Sequence, residues 1–277
     1  MLSLSSKTKI NLGLKVINKR SDGLHNIVTI FQEVDFGDKI QLKKHKTGCH
    51  IKSNVDWIPL DSSNLCYKAY HILSKKCNRD LGIEIYLEKK VPTGTGIGGG
   101  SANAAATLLA INSLYNLKFD SKQLEQIGSL IGADVPFFIN GGTQIGEETG
   151  YKLTPINEKL DAEILLVLPS VSISTKWAYA QIKNKLNSHN SIPKFADLMR
   201  NDFLSFKFFE NDFEKIVIPA YPEIGSIKNR MLEYGANFAS LSGSGSTVFG
   251  IFDNNANAKK AKSYFLNSHL TILTRPI

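Results

Sequence analysis

Val91-Pro-Thr-Gly-Thr-Gly-Ile-Gly-Gly-Gly-Ser-Ala-Asn-Ala-Ala-Ala106 places five glycines in the seven positions from Gly94 to Gly100 and then turns into an alanine-rich helical run. Glycine lets the backbone take left-handed conformations and lets a ligand come close to bare main chain. A helix start beside such a loop adds unpaired N–H groups and a partial positive charge, which together suit a phosphate. Three loop designs share this logic. A P-loop needs a lysine after its last glycine, and Gly100 stands in that place. The dinucleotide fingerprint G-x-G-x-x-G is met by Gly94, Gly96 and Gly99, with Asp120 downstream. However, the preceding Ile83-Glu-Ile-Tyr-Leu-Glu-Lys89 alternates and needs one wet face, whereas dinucleotide-fold strands are buried on both. A protein-kinase reading could use Asp35-Phe36-Gly37, but that triplet precedes the loop, at an expected strand-to-strand turn, with no H-R-D segment between. An anion nest remains, with Ser101 expected to cap the following helix. The alternative without function is a glycine-rich surface turn.

A chain of 277 residues, 42% apolar, suits two domains. No apolar run approaches the roughly 20 residues of a membrane span, and Met1 to Ile10 lacks a signal-peptide core, so a cytoplasmic protein with no membrane partner is expected. Cys49, Cys66 and Cys77 are odd in number and widely spaced, which speaks against a disulfide framework or a zinc site. The net charge of +8 is compatible with an anionic small molecule, a nucleic acid or a lysine-rich surface. The densest basic piece, Lys39 to Lys46, alternates like a strand face without zinc-finger or aromatic RNA-binding spacing, so no nucleic-acid partner is expected. The oligomeric state is not legible.

Alternation predicts strands at Lys9–Ile17, Val28–Phe36, Lys39–His45 and Gly82–Val91, with turns at Ser21-Asp-Gly23 and Phe36-Gly-Asp38. Helical spacing predicts a helix over Ser62–Lys76, capped by Asp61, Ser62 or Ser63. Further helices are predicted over Ser101–Tyr115 and Asp120–Ile131, the latter capped by Asp120 and closed by Gly132, before a turn at Asn140-Gly-Gly-Thr143. After an expected linker at Thr154–Asp161, strands at Glu163–Pro169, Asn237–Leu241, Thr247–Phe252 and Thr271–Thr274 and helices near Thr175–Leu186, Lys194–Met199 and Pro222–Tyr234 make an α+β second domain.

The loop Pro92-x-Gly-x-Gly-x-Gly-Gly-Gly-Ser-Ala-Asn-Ala-Ala105 resembles the ATP loop of the galactokinase, homoserine kinase, mevalonate kinase and phosphomevalonate kinase superfamily. Thr8-Lys-Ile-Asn-Leu-Gly-Leu14, Arg20-Ser-Asp-Gly-Leu-His25, Gly132-Ala-Asp-Val-Pro-Phe137, Asn211-Asp-Phe-Glu214, Tyr221-Pro-Glu-Ile224 and Leu241-Ser-Gly-Ser-Gly-Ser-Thr-Val-Phe249 extend the resemblance over nearly the whole chain. They resemble the branch that phosphorylates the 2-hydroxyl of a cytidine diphosphate-linked methylerythritol, a small molecule of the non-mevalonate isoprenoid route. A homoserine- or mevalonate-type kinase is the alternative. The resemblance implies a two-domain α+β sandwich: residues 1–160 as an ATP-binding domain with a mixed sheet and helices, and residues 161–277 as a ferredoxin-like substrate domain.

By the same resemblance, Asp134 accepts the substrate hydroxyl proton and Lys9 pairs with it. ATP is held by Asn64 and by Pro92, Thr93, Gly94, Thr95, Gly96, Ile97, Gly98, Gly99, Gly100, Ser101, Ala102 and Asn103, with Ser101 also a ligand for Mg²⁺. Asn11, Leu24, His25, Tyr179, Gly243, Ser244 and Gly245 hold the substrate, His25 reading cytosine and Tyr179 stacking on it. Plainer readings exist for each: a solvated Lys9, Asp134 as an N-cap before Pro136, a surface His25, a glycine hairpin at Leu241–Thr247, and Asn64 as a helix N-terminal residue with no ligand. The sequence departs from the family at Leu24, where tyrosine is usual, at Thr95, where glycine or alanine is usual, and at Thr8, where alanine is usual. Thr95 must keep an ordinary backbone region, because a β-branched residue tolerates positive φ poorly.

Overall fold

The computed structural model describes residues 1–157, 160–182, 206 and 209–277. The helix predicted near Lys194–Met199, and the end of the one predicted from Thr175, lie outside the described residues. Compactness divides the chain into two discontinuous units: Met1–Thr8, Phe36–Thr93 and Gly98–Gly141 form the first, and Lys9–Asp35, Gly94–Ile97 and Gly142–Ile277 the second. The division is not linear because the two opening strands, β1 (Leu2–Lys19) and β2 (His25–Lys44), are long enough to contribute to both. The boundary expected between residues 160 and 161 falls inside the second unit.

The first unit contains the end of β2, then β3 (Cys49–Ser53), α1 (Leu65–Lys76), β4 (Ile83–Glu88), α2 (Gly99–Leu114), α3 (Ser121–Ser129) and the short α4 (Phe137–Asn140). β4 pairs antiparallel with β2, from Lys39 opposite Glu88 to Lys44 opposite Ile83, and parallel with β3. Its alternation has the expected physical result: Ile83, Ile85 and Leu87 are buried, while Glu84, Tyr86 and Glu88 are not. The turn expected at Phe36-Gly-Asp38 is absent, since β2 runs through it. Gly37 is there for close approach instead: a Cβ on it would lie 1.9 Å from the Ser6 carbonyl oxygen. Thr8 Oγ1 donates to the Phe36 carbonyl at 2.7 Å beside it.

The cap of α1 also differs from expectation. Asn64 Oδ1 accepts from the Cys66 N–H at 2.9 Å, and its Nδ2 donates to the Pro59 carbonyl at 2.6 Å. Asp61 is occupied in a local turn, accepting from the N–H and hydroxyl of Ser63 at 2.9 and 2.7 Å. α3 carries the expected Asp120 cap, reinforced by Gln123 in a capping box. α2 packs on α1, α3 and α4, and its alanines let these neighbours close in: Ala102, Ala104, Ala105, Ala106, Leu108, Ala110 and Ile111 are all buried. Burial pushes the Cys66 thiol up to about 11 and the Cys49 thiol up to about 12, so both are protonated at neutral pH.

In the second unit, β2 pairs antiparallel with β5 (Thr143–Glu148), and β5 with β6 (Lys152–Pro155). The start of the expected linker is therefore strand. β7 (Glu163–Leu168) follows, then α5 (Thr175–Ile182), α6 (Glu214–Ala220), α7 (Pro222–Glu233), β8 (Phe238–Leu241), β9 (Val248–Phe252), α8 (Asn255–Phe265) and β10 (Leu270–Thr274). The last four strands form an antiparallel sheet in the order β10-β7-β9-β8, with α7 and α8 packed on it. This is the ferredoxin-like β-α-β-β-α-β arrangement expected for the C-terminal half. Its core is apolar and tight: Val217, Met231, Val248 and Phe252 are fully buried, and Phe213 nearly so. Each such side chain contributes about 1.5–3 kcal/mol of burial.

The opening strands are fastened to the far end of the sequence within this unit. The Leu14 N–H donates to the Glu210 carbonyl and the Asp212 N–H to the Leu14 carbonyl, both at 2.9 Å, while the Asp35 N–H donates to the Arg275 carbonyl at 2.9 Å. Among the described residues no helix is long and apolar enough to cross a membrane.

Candidate active site

The glycine loop is shared between the units, Gly94 and Gly96 lying in the second and Gly98 to Gly100 in the first. Gly94, Gly96 and Gly98 have φ of 71°, 80° and 76°, whereas Thr95 and Ile97 do not have positive φ. Left-handed and ordinary residues thus alternate, the geometry by which successive N–H groups turn into a nest. Thr95 takes the ordinary backbone region its β-branch requires.

Within the second unit, this loop lies back to back with the second glycine stretch. The Thr247 N–H donates to the Thr95 carbonyl at 3.1 Å, and Ser242 Oγ donates to the Gly96 carbonyl at 3.1 Å. A Cβ at Gly96 would stand 2.4 Å from the Ser242 oxygen and 2.7 Å from that of Gly245. Lys9 is 3% exposed, and its main chain joins the same assembly through a 3.0 Å bond to the Ile97 carbonyl. Its Nζ donates to Asn11 Oδ1 at 2.7 Å and to the Gly96 carbonyl at 3.1 Å, and lies 5.4 Å from the centre of the Phe31 ring. Asn11 is held in turn by a chain of donors, its Nδ2 to Thr29 Oγ1 at 2.8 Å and that hydroxyl to the Gly13 carbonyl at 2.6 Å. A Cβ at Gly243 would lie 3.5 Å from Asn11 Oδ1 and 3.6 Å from Lys9 Nζ. The structure thus brings Lys9, Asn11, Gly96 and Gly243 together, and the solvated reading of Lys9 does not hold.

The second glycine stretch is braced by side chains to which sequence reasoning gave no role. Asn211 Nδ2 donates to the Leu241 and Gly243 carbonyls at 2.7 and 2.8 Å, and Glu214 Oε1 accepts from Ser240 Oγ and the Leu241 N–H at 2.8 and 2.9 Å. The motif Asn211-Asp-Phe-Glu214 was visible in the sequence, but its partners were not. Ser244 Oγ lies 3.0 Å from Thr175 Oγ1, and Gly245 packs against Ile173 and Leu241. The hairpin reading of Leu241–Thr247 is half right: β8 and β9 do pair, and the glycines between them also face the first loop.

In the first unit, Gly98 rather than Ser101 occupies the N-cap of α2, with no side chain capping the helix. The helix begins two residues earlier than expected because glycine, not serine, takes the left-handed turn, so Ser101 sits inside the first turn at the third helical position. A Cβ on Gly132 would lie 3.9 Å from Ser101 Oγ, which makes Ser101 a neighbour of the Gly132-Ala-Asp134 turn. Pro136, not Asp134, stands at the N-cap position of α4. Asn103 is buried and donates to Asp38 Oδ2 at 3.0 Å. Asp38 also accepts from Lys89 Nζ and from the N–H groups of Lys90 and Val91. Pro92 and Ala102 flank the glycines, and Thr93 is exposed. Asn64 caps α1 through its Oδ1, while its Nδ2 donates to the Pro59 carbonyl before the helix.

A third feature lies in the second unit. The Ser21-Asp-Gly23 turn is closed by the Asp22 carboxylate, which accepts the Leu24 N–H at 3.0 Å. That bond, with Arg20 beside it, holds the Asp22 carboxyl below its usual range. The turn leaves Leu24 55% exposed and presents His25, whose ring stacks on Tyr179 at 4.7 Å with 23° between planes. Phe213 stands edge-on to Tyr179 at 4.9 Å. His25 and Tyr179, assigned together from sequence, are in contact, and His25 is half-buried rather than a surface histidine.

For Mg²⁺, the described residues offer no group of three or more His, Cys, Asp or Glu side chains that could hold a metal. A lone hydroxyl on a helix first turn, Ser101, suits a magnesium ion held chiefly by phosphate oxygens and water.

Residues 64–142 match the profile of the GHMP kinases N terminal domain, and residues 182–271 that of the GHMP kinases C terminal domain. A 4-diphosphocytidyl-2-C-methyl-D-erythritol kinase of Acetivibrio thermocellus is 38% identical over 272 residues, covering 96% of this chain and 95% of the relative. One of Alkaliphilus oremlandii is 40% identical over 265 residues, covering 93% and 90%. A crystal structure of 4-(cytidine 5'-diphospho)-2C-methyl-D-erythritol kinase superposes with a TM-score of 0.84 at 26% identity, covering 99% of each chain. With two glycine loops back to back around a buried lysine, and relatives this similar over this length, the chain is a small-molecule kinase that belongs to the 4-diphosphocytidyl-2-C-methyl-D-erythritol kinase family of the GHMP kinases.

Proposed function

We propose that this kinase transfers the γ-phosphoryl group of ATP to the 2-hydroxyl of 4-diphosphocytidyl-2-C-methyl-D-erythritol, in the non-mevalonate route to isoprenoid precursors. The observation that carries the reading is Lys9, a buried cation fixed by Asn11 and by the carbonyl of a phosphate-loop glycine. Phosphoryl transfer leaves little covalent work to the protein; it needs positioning and charge stabilisation. The Gly94–Ser101 nest and the first turn of α2 cradle the ATP phosphates. Lys9 stabilises negative charge on the acceptor oxygen, and Asp134 accepts its proton. A carboxylate is a much weaker base than an alkoxide, so Asp134 acts chiefly by orienting the hydroxyl. Ser101 would hold Mg²⁺, which when bound would supply neutralisation of the phosphate charge. His25 hydrogen-bonds the cytosine edge. Tyr179, with His25 against one face, fixes the imidazole as well as supplying aromatic surface, and exposed Leu24 covers the base with an apolar but not aromatic side chain.

The test is ADP release from MgATP by the purified chain with the cytidyl compound, mevalonate and homoserine in parallel. Turnover is expected with the cytidyl compound alone. Asp134→Ala is expected to lower kcat by at least about 10²-fold with MgATP binding retained, and Lys9→Arg to rescue Lys9→Ala poorly, because a planar fork does not replace a compact ammonium. Near-normal kcat in Asp134→Ala removes that residue from the mechanism, and turnover with another acceptor voids the His25 and Tyr179 assignments.

A further inference from the structure

Asp38 lies outside every motif read as catalytic or nucleotide-binding, yet it is the most heavily engaged buried carboxylate beside the glycine loop. Its side chain is fully buried. Oδ1 accepts the N–H groups of Lys90 and Val91 at 2.7 and 2.9 Å, immediately before the loop begins at Pro92. Oδ2 accepts from Lys89 Nζ and, at 3.0 Å, from Asn103 Nδ2, on α2 just after the loop ends. One carboxylate therefore grips the chain on both sides of the loop. The gap it holds is narrow, for a Cβ on Gly99 would lie 2.7 Å from Val91 Cγ1. The Lys89 main chain is fixed independently, its N–H donating to Asn54 Oδ1 at 2.7 Å. Asn103 reaches Asp38 although its own Oδ1 is left buried with no hydrogen-bond partner. Such a group is costly, and its persistence at one end of a ligand loop marks the bond it accompanies as more than packing.

We propose that Asp38 is a positioning residue for nucleotide binding: by holding Val91 and Asn103 on one carboxylate, it sets the span of the glycine loop and thereby the direction of the N–H groups that meet the ATP phosphates. This rests on the reading of Gly94–Ser101 as the phosphate cradle. Asp38 touches no substrate; it acts through main chain it does not share a motif with, and its neutral partner Asn103 makes the clamp directional.

The experiment measures KM for MgATP and for the cytidyl acceptor, kcat and Tm in three variants. Asp38→Ala alone would leave the Lys89 charge buried without its anion, so it is combined with Lys89→Met; the carboxylate that bridges Lys90, Val91 and Asn103 is then gone. This variant is expected to raise the MgATP KM about tenfold and to leave the acceptor KM within about twofold. Asp38→Asn with Lys89→Met keeps an acceptor for the Lys90 and Val91 N–H groups, and its amide N–H can donate to Asn103 Oδ1, which has no partner in the parent. It is expected to return the MgATP KM to within about threefold of the parent. Gly98→Ala, at a positive φ inside the loop, is the control for the cradle. If the first variant loses Tm without a change in MgATP KM, or raises both KM values together, Asp38 is structural only and the proposal fails. If Gly98→Ala also leaves the MgATP KM unchanged, the cradle reading fails with it; if Gly98→Ala raises that KM and the Asp38 variant does not, only the Asp38 proposal is lost.

Discussion

The two glycine-rich stretches look alike on the page and behave differently in space. Gly94 to Gly100 is uneven in exposure: Gly94 and Gly100 are exposed, while Ile97 and Gly99 are buried. Leu241 to Thr247 is buried throughout, Ser242, Ser246 and Thr247 completely so. In the first stretch, exposed glycines leave main chain open, the surface proposed above to cradle the ATP phosphates. In the second, glycine lets one backbone pass against another and brings Gly243 up to Lys9 and Asn11. Glycine content alone therefore does not distinguish a cradle from the support behind it. The bracing side chains do: a carboxylate beside the first stretch receives main-chain N–H groups, and an amide beside the second donates to main-chain carbonyls.

The sharpest way to break the pairing of the loops is Gly96→Ala, which combines positive φ with a Cβ driven into two carbonyl oxygens. A loss of about 4 kcal/mol in urea unfolding is expected, from left-handed strain of about 1–2 and overpacking of about 1–3, with turnover reduced to background. A stable, active Gly96→Ala would show that the contact between the loops is dispensable. Asn211→Ala comes next. It strips the donor from the buried Leu241 and Gly243 carbonyls and is expected to cost about 3 kcal/mol, with kcat falling more than the MgATP KM rises. The opposite kinetic pattern would assign the second stretch to nucleotide rather than to the Lys9 side.

Gly94→Ala sharpens the contrast from the other direction. Its φ is positive, but its Cβ would meet only Ser172 Oγ at 3.5 Å, so about 1 kcal/mol of backbone strain is expected and no steric collapse. A destabilisation equal to that of Gly96→Ala would erase the distinction between open and backed glycines. The smallest effect concerns the turn that presents His25. Asp22 has its folded-state carboxyl below the usual value, so its contribution is present above the unfolded carboxyl range, near 4, and is lost as pH falls through the folded value. Affinity for a cytidine nucleotide is expected to weaken below about pH 4 more steeply in the parent than in Asp22→Asn, where only the titration of the base itself remains; because Asp22 is exposed, added salt should shrink the difference.

Much of this organisation was legible because it rests on local rules. The period of two in β4, the Asp120 cap and the left-handed glycines follow from residue types a few positions apart. The failures share a cause. Phe36-Gly-Asp38 has turn composition, but Gly37 answers to Ser6, and Asp38 to Lys89, Val91 and Asn103, all distant in sequence. Ser101 is a good cap by type and was displaced because a left-handed Gly98 began the helix first. α8 carries Asn254 as a cap, with its Oδ1 accepting the Asn257 N–H, a signal available but unused; β5, with Gln144, Glu147 and Glu148, has too little apolar alternation to be read. For the site, Lys9, Asn11 and Gly243 were assigned by family resemblance and lie beside one another, whereas Asn211 and Glu214 act through bonds no spacing reveals.

The bonds from Leu14 to Glu210 and Asp212, and from Asp35 to Arg275, set an order in time. During synthesis at roughly 5–20 residues per second, Arg275 emerges on the order of 10–50 s after Asp35. Until Glu210 and Asp212 are made in the same way, the strand bearing Lys9 lacks the backbone partners of its Leu14, exposing backbone that other chains can pair with. The kinase therefore has a vulnerable interval written into its topology: the strand that carries the residue proposed to stabilise the transferred charge waits for Glu210 and Asp212, which are made long after it.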